Sequence, residues 1–212
     1  MANDEGYIMI ASDWRGMSMF DLPVIAKVLI SDLNVMKAVG DNVKQGYANK
    51  AAIQHFCRHK LMDLLDFALD EQVLRLPNEA IRFIFYGISQ GGILGGGYSA
   101  LLGGKDLIDG TVLVSPGSPF ALLMSRSTIF PMYHDLMLLN LYHSRFVRIV
   151  ISMMQMAYDS VEVTGILATP FEEKYPKTLI QAGLGDTIVT TYGAGETLRK
   201  RQLHFTHVRY SL

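Results

Sequence analysis

The sequence holds a single cysteine, Cys57, among 212 residues. One thiol cannot close an intrachain disulfide or build a cysteine-based zinc site, so the chain is expected to fold by packing alone in a reducing compartment such as the cytoplasm. An excess of charge of either sign is also missing. Nineteen Lys and Arg stand against 20 Asp and Glu, with no basic block and no acidic tail. That balance recommends neither nucleic acid nor an anionic membrane surface; a small, uncharged molecule is the expected partner. No apolar run is long and clean enough to span a bilayer. The most hydrophobic stretch, Leu136 to Ala157, is interrupted by His143, Arg145 and Arg148, each costly among lipid tails. The N-terminal MANDEGYIMIAS lacks both the basic and the long apolar region of a secretory signal.

Half of the residues are apolar, enough for one domain with a sizeable core. Tyr7 to Ala11, YIMIA, reads as a short buried strand ending at the polar turn SDWRGMS. Apolar residues recur at helical spacing from Leu22 to about Val43, with Pro23 where a first helical turn tolerates it. A second helix is expected where Ile53, Phe56, Cys57, Leu61, Leu64, Leu65 and Ala68 share one face. Further strands are read in Arg82 to Tyr86, Thr111 to Ser115 and Thr178 to Ala182, and the tail QLHFTHVRYS alternates like a last one. Strands alternating with helices predict an α/β fold with a mostly parallel sheet and helices on both faces. The chain is read as a single domain, 1–212, with a mostly helical excursion over 118–176.

Within YGISQGG, the residues Gly87, Ser89 and Gly91 form GxSxG. By itself the pattern is weak, and a plain turn or a phosphate loop would be the bland alternatives. A phosphate loop is disfavoured because neither GxGxxG spacing nor GK[ST] is found there. The strand-like RFIFY enters the turn and the small-sided helix GGILGGGYSALLG leaves it, which is the context that gives GxSxG meaning: a serine on a sharp turn with its hydroxyl above the sheet. The flanking Gly87 and Gly91 are then expected to lie where a β-carbon would meet backbone, and the N–H of Gln90 to point toward a developing oxyanion.

With these features the chain resembles the α/β-hydrolase superfamily, and within it the serine lipases and esterases. SDWRGMS looks like that family's D-x-R-G-x-S turn, matched by Asp13, Arg15, Gly16 and Ser18, and TLIQAGLGD places Asp186 where the family carries the acid of its triad. The resemblance implies a partial α/β-hydrolase core with 118–176 as a cap or lid. It also implies a carboxylic ester hydrolase in which Ser89 is the nucleophile, Gln90 an oxyanion donor and Asp186 the orienting acid, acting without cofactor or metal on an apolar ester. Asp186 could instead simply cap the following helix.

The histidine has no clear place. His204 and His207 are the only ones after Asp186, and a histidine within a strand is more often packed or solvated than a base. His55 and His59, one turn apart near Asp63, have a spacing that can hold a metal but usually faces solvent. The family's glycine-containing oxyanion loop is also not found, so the chain reads as the middle of a larger hydrolase. An exposed sheet edge and self-association are expected from that. Met124, Met132, Met137, Met153, Met154 and Met156 suggest an adaptable acyl pocket in the excursion, with ordinary helix packing as the alternative. The competing functional reading is a degenerate, non-catalytic hydrolase fold that binds or oligomerises.

Overall fold

The computed structural model describes residues 7–68, 81–102, 105–168, 175–201 and 207–211. Pro23 stands in the first turn of helix α1 (Leu22–Ser31), where its missing N–H has no intrahelical acceptor to lose. Asp32 stops the helix: its backbone is extended, and its side chain accepts from Asn34 N at 2.9 Å to start a short 3₁₀ turn, Leu33–Val35. Helix α2 then runs unbroken through Met36–Ala68. The chain therefore divides at Asp32, and the two helices expected up to Val43 and from Ile53 are not separate. Met36, Val39, Val43, Tyr47 and Cys57 are buried along one continuous helical face. Gly46 belongs inside this helix because the backbone of Arg15 packs against it, 2.9 Å from where a β-carbon would stand.

Four parallel strands follow in spatial order: β1 (Ile84–Ile88), β2 (Gly110–Val114), β3 (Lys177–Gly183) and β4 (His207–Ser211). The first begins two residues later than Arg82 and takes in Gly87 and Ile88, so it runs up to Ser89 itself. Helix α3 (Gln90–Leu102) joins β1 to β2. Between β2 and β3 the excursion forms α4 (Phe120–Arg126), α5 (Phe130–Leu141), α6 (Ser144–Tyr158) and α7 (Val163–Ala168). Helix α8 (Thr191–Arg201) joins β3 to β4.

A sheet that winds steadily in one direction through right-handed crossovers receives all its connecting helices on one face. That is the arrangement here: α3 packs on β1 and β2, α7 on α3, and α8 on α7 and β3. Thr111, Leu113, Thr178, Ile180 and Ala182 are buried beneath this layer. α3 lies close to the sheet because Gly95 leaves room for the Phe85 ring, which a β-carbon would overlap. The opposite face was expected to carry helices too, but among the described residues it is open, and Ile84, Tyr86 and Ile88 are each more than half exposed.

Residues 7–11 form no strand, contrary to expectation; Tyr7, Ile8, Met9 and Ile10 are exposed. A strand is stable only with a hydrogen-bonding neighbour, and no described strand pairs with this segment. The excursion packs beside the N-terminal helices, α5 on α1 and α6 on both α2 and α4. Val28, Leu29, Met137, Val147, Ile151 and Tyr158 share one buried cluster with Trp14, Tyr47 and Tyr98. Each such large side chain contributes roughly 1.5–3 kcal/mol through burial. No helix among the described residues is long and apolar enough to cross a membrane.

Candidate functional site

Ser89 joins the carboxyl end of β1 to the start of α3 with φ of 53°, a left-handed conformation that costs a non-glycine residue about 1–2 kcal/mol. Hydrogen bonds hold it there: Ser89 N donates to Val114 O, and Ile93 N to Ser89 O, both at 2.9 Å. The side chain is exposed above the carboxyl end of a parallel sheet, where open α/β sheets bind their ligands. A β-carbon on Gly87 would overlap the Gly91 carbonyl, and one on Gly92 would stand 2.7 Å from Val114 O. Gly91 is a different case, since its nearest neighbour would be Trp14 Nε1 at 4.0 Å. The two sterically required glycines are thus Gly87 and Gly92; the expectation for Gly91 fails because its hydrogen points into open space.

Gln90 is the first residue of α3, so its N–H has no acceptor within the helix. Its side-chain amide donates to Met17 O at 2.8 Å, tying the serine turn to the SDWRGMS segment. That segment is built around Asp21, whose Oδ2 accepts from Gly16 N (2.8 Å), Ser18 N (2.9 Å) and Ser18 Oγ (2.6 Å). Burial opposes ionisation of Asp21, but these hydrogen bonds outweigh it and hold the carboxyl below its ordinary value of 3.8. Lys50 Nζ lies 4.2 Å above the Trp14 ring and donates to Ser12, and its burial lowers its pKa against the pull of Asp13. Asp13, Arg15, Gly16 and Ser18 therefore belong to a turn that buttresses the Ser89 turn from the side.

Asp186 follows β3 in a turn where Gly185 takes φ of 77°. Its Oδ1 accepts from Ile188 N and Val189 N, both at 2.9 Å, so the carboxylate orders its own loop ahead of α8, and no donor to Oδ2 occurs among the described residues. No described histidine side chain meets it. His143 Nδ1 accepts from Arg145 N at 3.0 Å and caps α6, while His134 stands beside Asp135. His55 and His59 have ring centroids 4.4 Å apart on α2, and no group of three or more metal-ligating side chains occurs among the described residues. His204 lies outside the described residues, as does the side chain of His207. The backbone of His207 is placed: it registers with Leu179, which registers with Val112 and that with Tyr86. His207 thus stands three strands from β1, about 14 Å across the sheet, in a row three residues before Ser89. This register does not bring it to the serine.

The methionines do not gather into one pocket. Met137 and Met154 are buried in the core, whereas Met153 and Met156 line an open groove of about 470 Å³ on α6 with Arg148, Ile149 and Ser152. Packing took the first pair because they fall on the buried face of their helices.

Two features beside Ser89 were not foreseen. Ser115, at the end of β2, is also left-handed (φ of 46°), and its N–H donates to Gln181 O at 2.7 Å, so successive strand ends are stitched together. The Pro-Gly pair after TVLVS was the only hint of such a turn. Glu162 is nearly fully buried, yet its carboxylate accepts from Phe120 N (2.7 Å), Gln155 Nε2 (2.7 Å) and Thr164 Oγ1. Burial pushes its pKa up, with these hydrogen bonds opposing. Ser118 shares Thr164's hydroxyl, so the network fixes the loop 115–119 that borders the Ser89 turn. A lone Glu in sequence reads as surface charge, and nothing in the pattern signals this role. No protein-family model matches the chain, and no curated protein matches it in sequence.

Proposed function

We propose that the chain is a partial α/β-hydrolase core of the serine esterase type, with Ser89 as its nucleophile. The observation that carries this is the strained, exposed Ser89 turn between β1 and α3, with Gly87 and Gly92 fitted against backbone. A strained serine at a strand end has little structural use, since a glycine would fill the same turn at lower cost. In the proposed reaction Ser89 Oγ attacks an ester carbonyl and the alcohol leaves. Water then releases the acid from the acyl-enzyme. The N–H of Gln90 stabilises the oxyanion, and Asp186 Oδ2 stands at the third strand end as the acid that would orient an imidazole. The helical excursion of 118–176 takes the part of a cap, and a small, uncharged ester is the substrate class.

A second reading is a non-catalytic hydrolase fold. It is favoured by the engagement of Asp186 Oδ1 within its own loop and by the row in which His207 stands. The two part on one experiment. A fluorophosphonate probe should label the folded chain and fail to label Ser89→Ala; a folded chain that takes up no label, and turns over no p-nitrophenyl ester, leaves only the non-catalytic reading.

A further inference from the structure

Loop 115–119 stands between the two turns that carry Ser89 and Asp186. On one side Val114 O, just ahead of the loop, accepts from Ser89 N at 2.9 Å, and Pro116 Cα lies 3.4 Å from where a β-carbon on Gly92 would stand. On the other side Ser118 N donates to Gly193 O at 3.2 Å, and a β-carbon on Gly117 would come within 2.9 Å of the Val189 side chain. Val189 is a residue whose N–H the Asp186 carboxylate holds. Just past α4, Thr128 N donates to Thr187 O at 2.9 Å, so the far end of that helix is tied to the Asp186 turn as well.

One buried carboxylate holds this loop from behind. Glu162 is only 3% exposed, and Ser118 is fully enclosed. Phe120 N and Ala121 N, the first two of α4, have no acceptor within the helix. Glu162 Oε2 accepts from the first at 2.7 Å and Gln155 Oε1 from the second at 2.9 Å. A backbone N–H can only donate, so Gln155 keeps its oxygen on Ala121 and its amide N–H group on Glu162 Oε1, at 2.7 Å. Thr164 gives its hydroxyl proton to the same oxygen, which leaves it to accept from Ser118. All three groups bonded to Glu162 are thus donors, and an ionised carboxylate, which only accepts, matches that set.

We infer that Glu162 is a positioning residue, which through Thr164 and Ser118 holds loop 115–119 as a spacer between the Ser89 and Asp186 turns. Its catalytic meaning rests on Ser89 being the nucleophile, as proposed above: the loop then spaces the nucleophile from the acid. The spacer is also where the helical excursion meets the site, because α4, α6 and α7 all join this network, through Phe120, Gln155 and Thr164. Loss of the Thr164 hydroxyl would leave Ser118 Oγ and Glu162 each short of one partner inside the protein, where an unmet polar group is costly. Ser118 is then expected to withdraw, loosening its bond to Gly193 and the seat of Pro116 against Gly92.

The test compares Thr164→Val, which keeps the shape and removes the hydroxyl, with Thr164→Ser, which keeps the hydroxyl, at a temperature where circular dichroism shows both chains folded. Amide hydrogen exchange followed by NMR reads the spacer without any need for activity. In Thr164→Val the N–H groups of Ser89 and Ser118 should exchange at least about tenfold faster while those of α2 are unchanged, and Thr164→Ser should exchange like the wild type. Fluorophosphonate labelling of Ser89 should slow by at least about tenfold in Thr164→Val and recover in Thr164→Ser. A merely structural hydroxyl would lower the unfolding midpoint and leave the labelling rate of the folded chain as it was. Unchanged exchange at Ser89 and Ser118 in Thr164→Val, an acceleration spread evenly over the chain, no recovery in Thr164→Ser, or a wild-type labelling rate in Thr164→Val would each overturn the assignment. A wild type that takes no label, while Thr164→Val shows the local change in exchange, would overturn the nucleophile reading and leave the spacer role standing. Should Thr164→Val not fold, Ser118→Ala cuts the same chain of hydroxyls one step nearer the loop and is read in the same way.

Discussion

Gly87 and Gly91 face one another across the turn that carries Ser89, and only one of them is sterically obliged to be glycine. A β-carbon on Gly87 would overlap the Gly91 carbonyl oxygen, whereas one on Gly91 would rest 4.0 Å from Trp14 Nε1. Gly87→Ala should therefore destabilise the fold by about 2 kcal/mol or more, because the turn must shift backbone to admit it. Gly91→Ala lies in the first turn of α3 and should be neutral or stabilise by up to about 1 kcal/mol, as alanine does in a helix. Urea denaturation of both variants checks the contrast; equal losses would mean that the turn is held differently.

Much of the arrangement around Ser89 was legible because the required residues are local. RFIFYGISQGG places an apolar strand, a tight turn and a small-sided helix next to one another, and β1, Ser89 and α3 follow from that order. What the pattern hid depends on residues far apart in the chain. Arg15 covers Gly46, which is why a glycine sits within one long α2, and the Glu162 network joins the α6–α7 turn to the start of α4. The open sheet face was misjudged for a related reason. Alternation identifies which residues share a face, but coverage depends on the direction in which the strands are wound, and that is a property of the topology. YIMIA failed as a strand because propensity cannot supply the neighbour that a strand must pair with.

Tyr47 tests how α2 is fixed to the core. Its hydroxyl, buried between helices, donates toward Val161 O and lies 3.1 Å from Leu94 O. Burial pushes the phenol's pKa well above its ordinary value of 10, so it stays protonated at any working pH. Tyr47→Phe keeps the ring and its edge-on contact with Trp14 but leaves the Val161 carbonyl without this donor. A loss of about 1–3 kcal/mol is expected in thermal or urea unfolding; an unchanged midpoint would mean that this carbonyl finds another donor.

Asp109 should give the protein an acid limb. Burial opposes its ionisation, but the N–H of Phe83 at 2.8 Å and the guanidinium of Arg58 at 2.9 Å outweigh that and hold its pKa below 3.8. A carboxyl whose folded pKa is depressed stabilises fully above its unfolded value, and the contribution fades as pH falls through the folded one. Stability should therefore drop below about pH 4, and Asp109→Asn should flatten that limb while costing roughly 1–3 kcal/mol at neutral pH. Arg82 also reaches Asp109, at 3.4 Å, but is mostly exposed, so Arg82→Ala should change stability by less than about 0.5 kcal/mol. Denaturation midpoints from pH 3 to pH 7 would check both, and an unaltered acid limb in Asp109→Asn would count against the assignment.

Ser89 sets stability against chemistry at one position. At φ of 53° the serine pays for a left-handed backbone, a conformation that glycine adopts freely. Ser89→Gly should raise stability by about 1 kcal/mol, while Ser89→Ala, which keeps a β-carbon in the same conformation, should gain little. Both remove the hydroxyl, so both should lose fluorophosphonate labelling in the proposed mechanism. The pair separates two meanings of a strained serine. If Ser89→Gly is more stable and unlabelled, the strain is retained for the hydroxyl's sake. If it is no more stable than Ser89→Ala, the hydrogen bonds to Val114 and Ile93 dictate the turn whatever the residue, and the strain ceases to argue for a nucleophile.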